Sequence, residues 1–92
     1  MQFEWDGRKA RANKAKHGVS FEEASTAFLD PRHLLLFDWE HSAAEDRMIL
    51  IGMSRKLRLL TVVYVEKEAD VYRIISARKA TERERQRYEE AT

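Results

Sequence analysis

The sequence predicts an α+β domain in which a small antiparallel sheet carries its helices on one face, in the order β-α-α-β-β-β-β-α. Three observations lead there. Two capping-box signatures, Ser20 to Glu23 (S-F-E-E) and Thr81 to Glu84 (T-x-x-E), mark helix starts. Leu57 to Glu66 (LRLLTVVYVE) is the most β-prone run of the chain. The polar turns Arg55-Lys56 and Lys67 to Asp70 are short, and short connections favour an antiparallel meander.

The elements follow in order. Met1 to Trp5 alternates weakly, with Phe3 and Trp5 on one side, and reads as a short strand. Asp6 can cap the helix that follows, which runs from about Gly7 to Lys16, and Gly18 stops it by taking the left-handed conformation. Ser20 begins a second helix whose apolar face is Phe21, Ala24 and Phe28, and Asp30-Pro31 breaks it. Strands are expected over His33 to Trp39, Asp46 to Ser54 and Leu57 to Glu66, with a polar loop over Glu40 to Glu45. Val71 to Glu90 is a strand that turns through a short corner into a capped helix. The chain is organised around this stretch, because Arg73 and Arg78 are awkward in a sheet strand. A guanidinium is almost never buried without a partner.

At 92 residues the chain predicts one domain (1–92) with one modest core. The formal charge of +1 hides a basic segment: Arg8, Lys9, Arg11, Lys14 and Lys16 occur with no acid among them. Cysteine is absent, which excludes disulfides, thiolate metal sites and cysteine nucleophiles. No signal-peptide pattern opens the chain, and no apolar run nears the ~18 residues of a membrane span. A soluble, cytoplasmic protein without a membrane partner is expected. The three histidines, at 17, 33 and 41, lack the spacing of helical metal ligands, so no metal is expected. No Walker, Rossmann or nucleophile-elbow pattern occurs, and no cofactor is expected.

The basic helix could track a phosphate backbone or simply be a solvated surface. Asn13 and His17, four apart, could contact RNA or tie the helix to the sheet. His17 is a candidate acid or base, or a favourable charge at a helix C-terminus. Glu45 and Arg47, two apart at a strand start, should point to one side. Arg73 and Arg78, five apart, should face opposite ways in a regular strand unless a bulge intervenes. Arg85 and Tyr88 share a side of the last helix; Tyr88 could stack on a base or pack the helix.

Three strings, FEWD…KHGVSFEEA…F.DP, E.R..I.G and RIISARKAT..ER..YE, resemble the BrnT family of bacterial toxins from Phe3 to Glu90. Gly7 stands where that family often has proline. The resemblance implies a RelE-like fold and a ribonuclease of a type II toxin–antitoxin system that blocks translation and growth. It further implies a BrnA-type ribbon-helix-helix antitoxin as partner, an RNA substrate, and contact with operator DNA only through the antitoxin, with which the toxin represses its operon. Metal-free RNA cleavage needs a base, an acid and cations for the phosphorane charge. Arg47, Arg73 and Arg78 are the candidates for phosphate stabilisation, with Arg78 preferred. Lys16, His17 or Glu45 could move the proton, and Tyr88 could position the substrate. Arg8, Lys9, Arg11, Lys14, Lys79 and Arg85 are candidates for RNA binding. The rival readings are a non-catalytic toxin of ParE type, a plain RNA-binding module, and an inactive family member whose remaining role is co-repression with its antitoxin.

Overall fold

The computed structural model describes residues 1–91. The elements are β1 (Gln2–Glu4), α1 (Gly7–His17), α2 (Phe21–Thr26) running into a 3₁₀ turn (Ala27–Leu29), β2 (Leu34–Phe37), β3 (Met48–Met53), β4 (Leu59–Glu68), β5 (Val71–Lys79) and α3 (Glu82–Glu90). Their order is the expected one.

Local chemistry sets the boundaries. An Asp6 carboxylate oxygen accepts the amides of Arg8 and Lys9 at 2.8 and 3.2 Å, which starts α1. Gly18, at φ 70°, ends it by donating its amide to Lys14 O at 2.9 Å. Ser20 Oγ accepts the Glu23 amide at 3.0 Å and starts α2. The capping box expected there is only half made. The Glu23 carboxylate accepts from Ser54 Oγ at 2.7 Å and from the Arg58 guanidinium instead. A carboxylate this buried is better matched by a cation than by one backbone amide, and Arg58 holds its pKa below the usual range.

Strand order is β1-β5-β4-β3-β2. β2 to β5 form the expected antiparallel meander, but β1 lies parallel to β5, with Phe3 opposite Tyr72. The sheet is therefore mixed. Loop length governs only strands joined by tight turns, and β1 reaches β2 through two helices, so nothing in the turns dictated its direction.

The two faces are covered unequally. Leu50, Leu60, Val62, Tyr64, Ile74 and Ala77 point to the face that α1 and α2 cover, where they pack on Val19, Phe21, Ala24 and Phe28. Phe28 meets Phe3, Tyr64 and Tyr72 at ring distances of 4.8, 4.9 and 5.8 Å. At Gly52 the 3₁₀ turn lies so close that a Cβ would stand 2.7 Å from Ala27 O. The third helix departs from the one-faced arrangement: Tyr88 of α3 packs on Ile51 and Leu59, which point to the opposite face. Their neighbours Leu34, Leu36 and Ile49 extend this second, smaller apolar cluster.

Ala10 packs α1 on the core, and Asn13 ties the helix to the sheet by hydrogen bonds. β1 pairs only with Val71 to Arg73, so β5 beyond it has no strand on that side. Asn13 fills the gap. Its carboxamide accepts the Ala77 amide at 3.1 Å and donates to Ala77 O at 2.8 Å and Val19 O at 3.0 Å. One side chain thus supplies the pair of bonds that a neighbouring strand would make. Of the two roles the sequence left open for Asn13, tying the helix to the sheet is the one the contacts describe.

Replacing Asn13 by Ala would strand a buried amide and two carbonyls. It should lower unfolding free energy in urea by about 2–4 kcal/mol, with an unchanged m-value. A loss below about 0.5 kcal/mol would show that the carboxamide does not replace a strand.

Candidate active site

Arg73 and Arg78 lie on the face that α1 and α2 leave open, and a bulge in β5 puts them on the same side. In the β4–β5 ladder Val63 pairs with Ser76 and Tyr64 with Ile74, so Ile75 is an extra residue. The insertion shifts the alternation by one. Arg73 and Arg78, which a regular strand would send to opposite faces, share a face.

A shallow cavity of about 300 Å³ opens on that face. Its apolar floor comes from Ile49 of β3, Val63 of β4 and Ile75 of β5. Arg78 and Ser76 flank it on one side. Arg47, at the entry to β3, and Asp38, Glu40 and His41 of the β2–β3 loop flank it on the other. One hydroxyl holds that loop closed. Ser42 Oγ donates to Asp38 O at 2.6 Å and accepts the Arg47 amide at 3.0 Å, while the Asp38 amide donates to Arg47 O at 2.9 Å.

Arg78 is held by the start of α3. Its Nη1 and Nη2 donate to the two oxygens of Glu84 at 2.7 and 2.9 Å, and Nη1 also donates to Lys79 O at 3.3 Å. The same carboxylate accepts the Thr81 amide at 2.8 Å, completing the capping box, and Thr61 Oγ1 at 2.9 Å. Burial pushes the Glu84 carboxyl up, but these donors outweigh it and bring it from 4.5 down to about 2. Glu84 in turn raises the pKa of Arg78, so the cation is permanent. A guanidinium has five N–H groups, and Glu84 and Lys79 take three. The Nε–H and the remaining Nη2–H are left. Together they form a second, side-on fork of the kind that fits a phosphate.

The other residues expected at the site lie elsewhere. Arg73 shares the face, but pairs with Glu4 of β1 at 2.8 Å and does not line the cavity. Glu45 pairs with Lys67 at 3.1 Å in a different depression and is not beside Arg47. The expectation that both point one way assumed a strand from Asp46, and β3 begins only at Met48. Lys16 and His17 sit at the C-terminal end of α1 and do not line the cavity either. Tyr88 is buried in the α3 contact, and its hydroxyl donates to Asp30 at 2.6 Å, outside the cavity. Asp30 also accepts the Met53 amide at 2.8 Å, so the phenol helps to lock α3 to β3. Arg8, Lys9, Arg11, Lys14 and Lys79 are exposed, and Arg85 is half-buried on α3.

Sequence reasoning passed over the β2–β3 loop. Asp38 and His41 are three apart and hydrogen-bonded, with Nδ1 at 3.1 and 3.2 Å from the carboxylate oxygens. The available signal was D-W-E-H-S between two strands, a carboxylate and an imidazole one turn apart. Among the described residues no group of three or more His, Cys, Asp or Glu side chains could hold a metal ion.

Residues 5–84 match a protein family described as "Ribonuclease toxin, BrnT, of type II toxin-antitoxin system". Among solved structures, the crystal structure of the Brucella abortus ribonuclease toxin BrnT superimposes with a TM-score of 0.68. It covers 89% of this chain and 99% of that one at 23% identity, a likeness that speaks for the fold. No curated protein matches the chain.

The depressed carboxyl of Glu84 makes stability depend on pH. Its folded pKa lies below the unfolded 4.5, so its contribution is present above pH 4.5 and lost as pH falls towards 2. With the carboxylate side chain only 22% exposed, that loss should be about 3 kcal/mol. Urea unfolding of the wild type and Glu84→Gln at pH 7, 4.5 and 2.5 checks this. The gap between the two should close steadily over the acid window, and a constant gap would contradict it.

Proposed function

The chain belongs to the BrnT family of ribonuclease toxins of type II toxin–antitoxin systems, and from that premise we propose that it cuts RNA without a metal ion, at the cavity between Arg47 and Arg78. The observation that carries this reading is the pair of arginines beside one cavity, with Arg78 gripped on one edge and open on the other.

In this reading the scissile phosphate lies over the apolar floor. The side-on fork of Arg78 takes two of its oxygens, and Arg47 supplies a second cation. The ribose 2′-hydroxyl attacks phosphorus, and the bond to the 5′-oxygen breaks. Negative charge grows on the equatorial oxygens during that exchange. The two cations stabilise it more than the ground state, the contribution that a metal ion makes in other nucleases. Arg78 needs no reorganisation, since Glu84 has already fixed its plane.

The remaining candidates take supporting parts. Arg8, Lys9, Arg11, Lys14, Lys16 and His17 would attract the flanking RNA by charge, joined by Lys79 and Arg85 nearer the cavity's strand. Arg73 and Tyr88 hold β1 and α3 to the sheet. Glu45 has no part in the reaction. As a type II system, the toxin has an antitoxin partner. We assign it to the BrnA type, a ribbon-helix-helix protein that covers the cavity and brings the toxin to operator DNA, so that the pair represses its operon.

Purified protein should degrade total RNA in the presence of EDTA. Arg78→Ala should lower kcat/KM by about 10²–10³-fold and Arg47→Ala by a smaller factor. Arg78→Lys should recover little, because an ammonium lacks the fork. Intact RNA with folded wild-type protein would refute the nuclease reading, and cleavage abolished by EDTA would refute its metal independence.

A further inference from the structure

We propose that His41 is the general base of the reaction and that Asp38 positions it. The inference rests on the ribonuclease reading above and adds the proton acceptor that reading lacks.

The geometry defines the tautomer. An ionised carboxylate only accepts hydrogen bonds, so the Nδ1 facing both oxygens of Asp38 carries the proton. In the neutral ring the lone pair then belongs to Nε2. His41 borders the cavity that holds both arginines, so the free nitrogen belongs to a ring already at the substrate's place. The exposures fit the division of labour: the Asp38 side chain is 11% exposed and that of His41 61%. A half-buried carboxylate orients a more accessible imidazole, the relation of orienting group to base in acyl-transfer triads. Ser42 ties the loop that carries both residues to the backbone of Arg47, so base and second cation stand on one closed loop.

No other group in the cavity is prepared in this way. Glu40 is exposed and has no hydrogen-bond partner among the described residues. Lys16, His17 and Glu45 lie outside the cavity. The charged groups around His41 are Asp38 and Glu40 from its own loop, Arg47 at the entry to β3, and Arg78 from β5.

The step balances. Nε2 takes the 2′-hydroxyl proton, and the freed electron pair forms the O2′–P bond. The P–O5′ bond breaks with its pair going to O5′, which takes a proton from solvent. His41 later returns its own proton to solvent. The products are a 2′,3′-cyclic phosphate and a 5′-hydroxyl, with no water consumed.

The test follows cleavage of a short oligoribonucleotide against pH for wild type, His41→Ala and Asp38→Asn. Binding of the same sequence with 2′-O-methyl sugars, which cannot react, is measured alongside. His41→Ala should lose about 10²–10⁴-fold in kcat/KM and bind the inert oligonucleotide within twofold of wild type. Its profile should lose the limb on the acid side, where a protonated base cannot act. Asp38→Asn should keep part of the activity, with the loss falling on kcat while the inert oligonucleotide binds as it does to wild type, because the imidazole is present but no longer held in place. Wild-type cleavage with His41→Ala equally active, or with its activity lost in step with binding, overturns the His41 assignment alone. Wild-type protein that leaves RNA intact overturns the ribonuclease reading and this inference with it.

Discussion

The carboxylate of Glu84 is the point on which the open face of the sheet depends. It is largely withdrawn from water, which by itself raises its pKa, and that pKa is instead brought down to about 2 because four donors converge on it from three elements. Thr61 contributes from β4, Arg78 from β5, and Thr81 from the start of α3. A short, highly charged helix has little reason to form alone. This one is nucleated by a cap whose acidic member is already bound to the sheet. The same contact removes the rotational freedom of Arg78, a long side chain that would otherwise lose about 2 kcal/mol of entropy on meeting a ligand.

Helix length explains why a functional face exists at all. α3 has nine residues, about 14 Å of helix, whereas the ten residues of β4 extend about 33 Å. One such helix cannot cover the sheet it lies on. It buries Ile51 and Leu59 and leaves Ile49, Val63 and Ile75 to floor a cavity. On the opposite face α1 and α2 together enclose the main core, including two well-packed aromatic neighbours of Phe28. Stability and chemistry are thus divided between the two sides of one sheet.

Much of this was legible from residues alone. Element order, all three helix N-caps, the glycine stop at Gly18 and the place of Arg78 at the strand's end all follow from local rules. What escaped was non-local. The bulge at Ile75 leaves no mark in a string as regular as RIISARK, so the shared face of Arg73 and Arg78 could be named only as a condition. Glu23 and Glu84 occupy the same place in two capping signatures, yet Arg58 draws one away while the other serves both cap and arginine. No spacing rule distinguishes them. The Asp38–His41 pair lies in a loop without periodicity, where an imidazole looks like any polar residue until its neighbours are known. Tyr88 could be read either as a ligand-stacking ring or as a packing one, and a distant aspartate, 58 positions away, holds its hydroxyl.

The carboxamide of Asn13 has a bearing on assembly. An unpaired strand edge is a template for another chain, and this sheet has two ends. At one end β1 is three residues long and Asn13 occupies the backbone of Ala77 next to it, so an incoming strand would find few free partners. At the other end Leu35 and Phe37 of β2 keep their outward backbone groups. A sheet that can be extended on one side only cannot propagate. Edge-to-edge growth stops after a single addition, and the fold avoids fibre formation by closing one border rather than both.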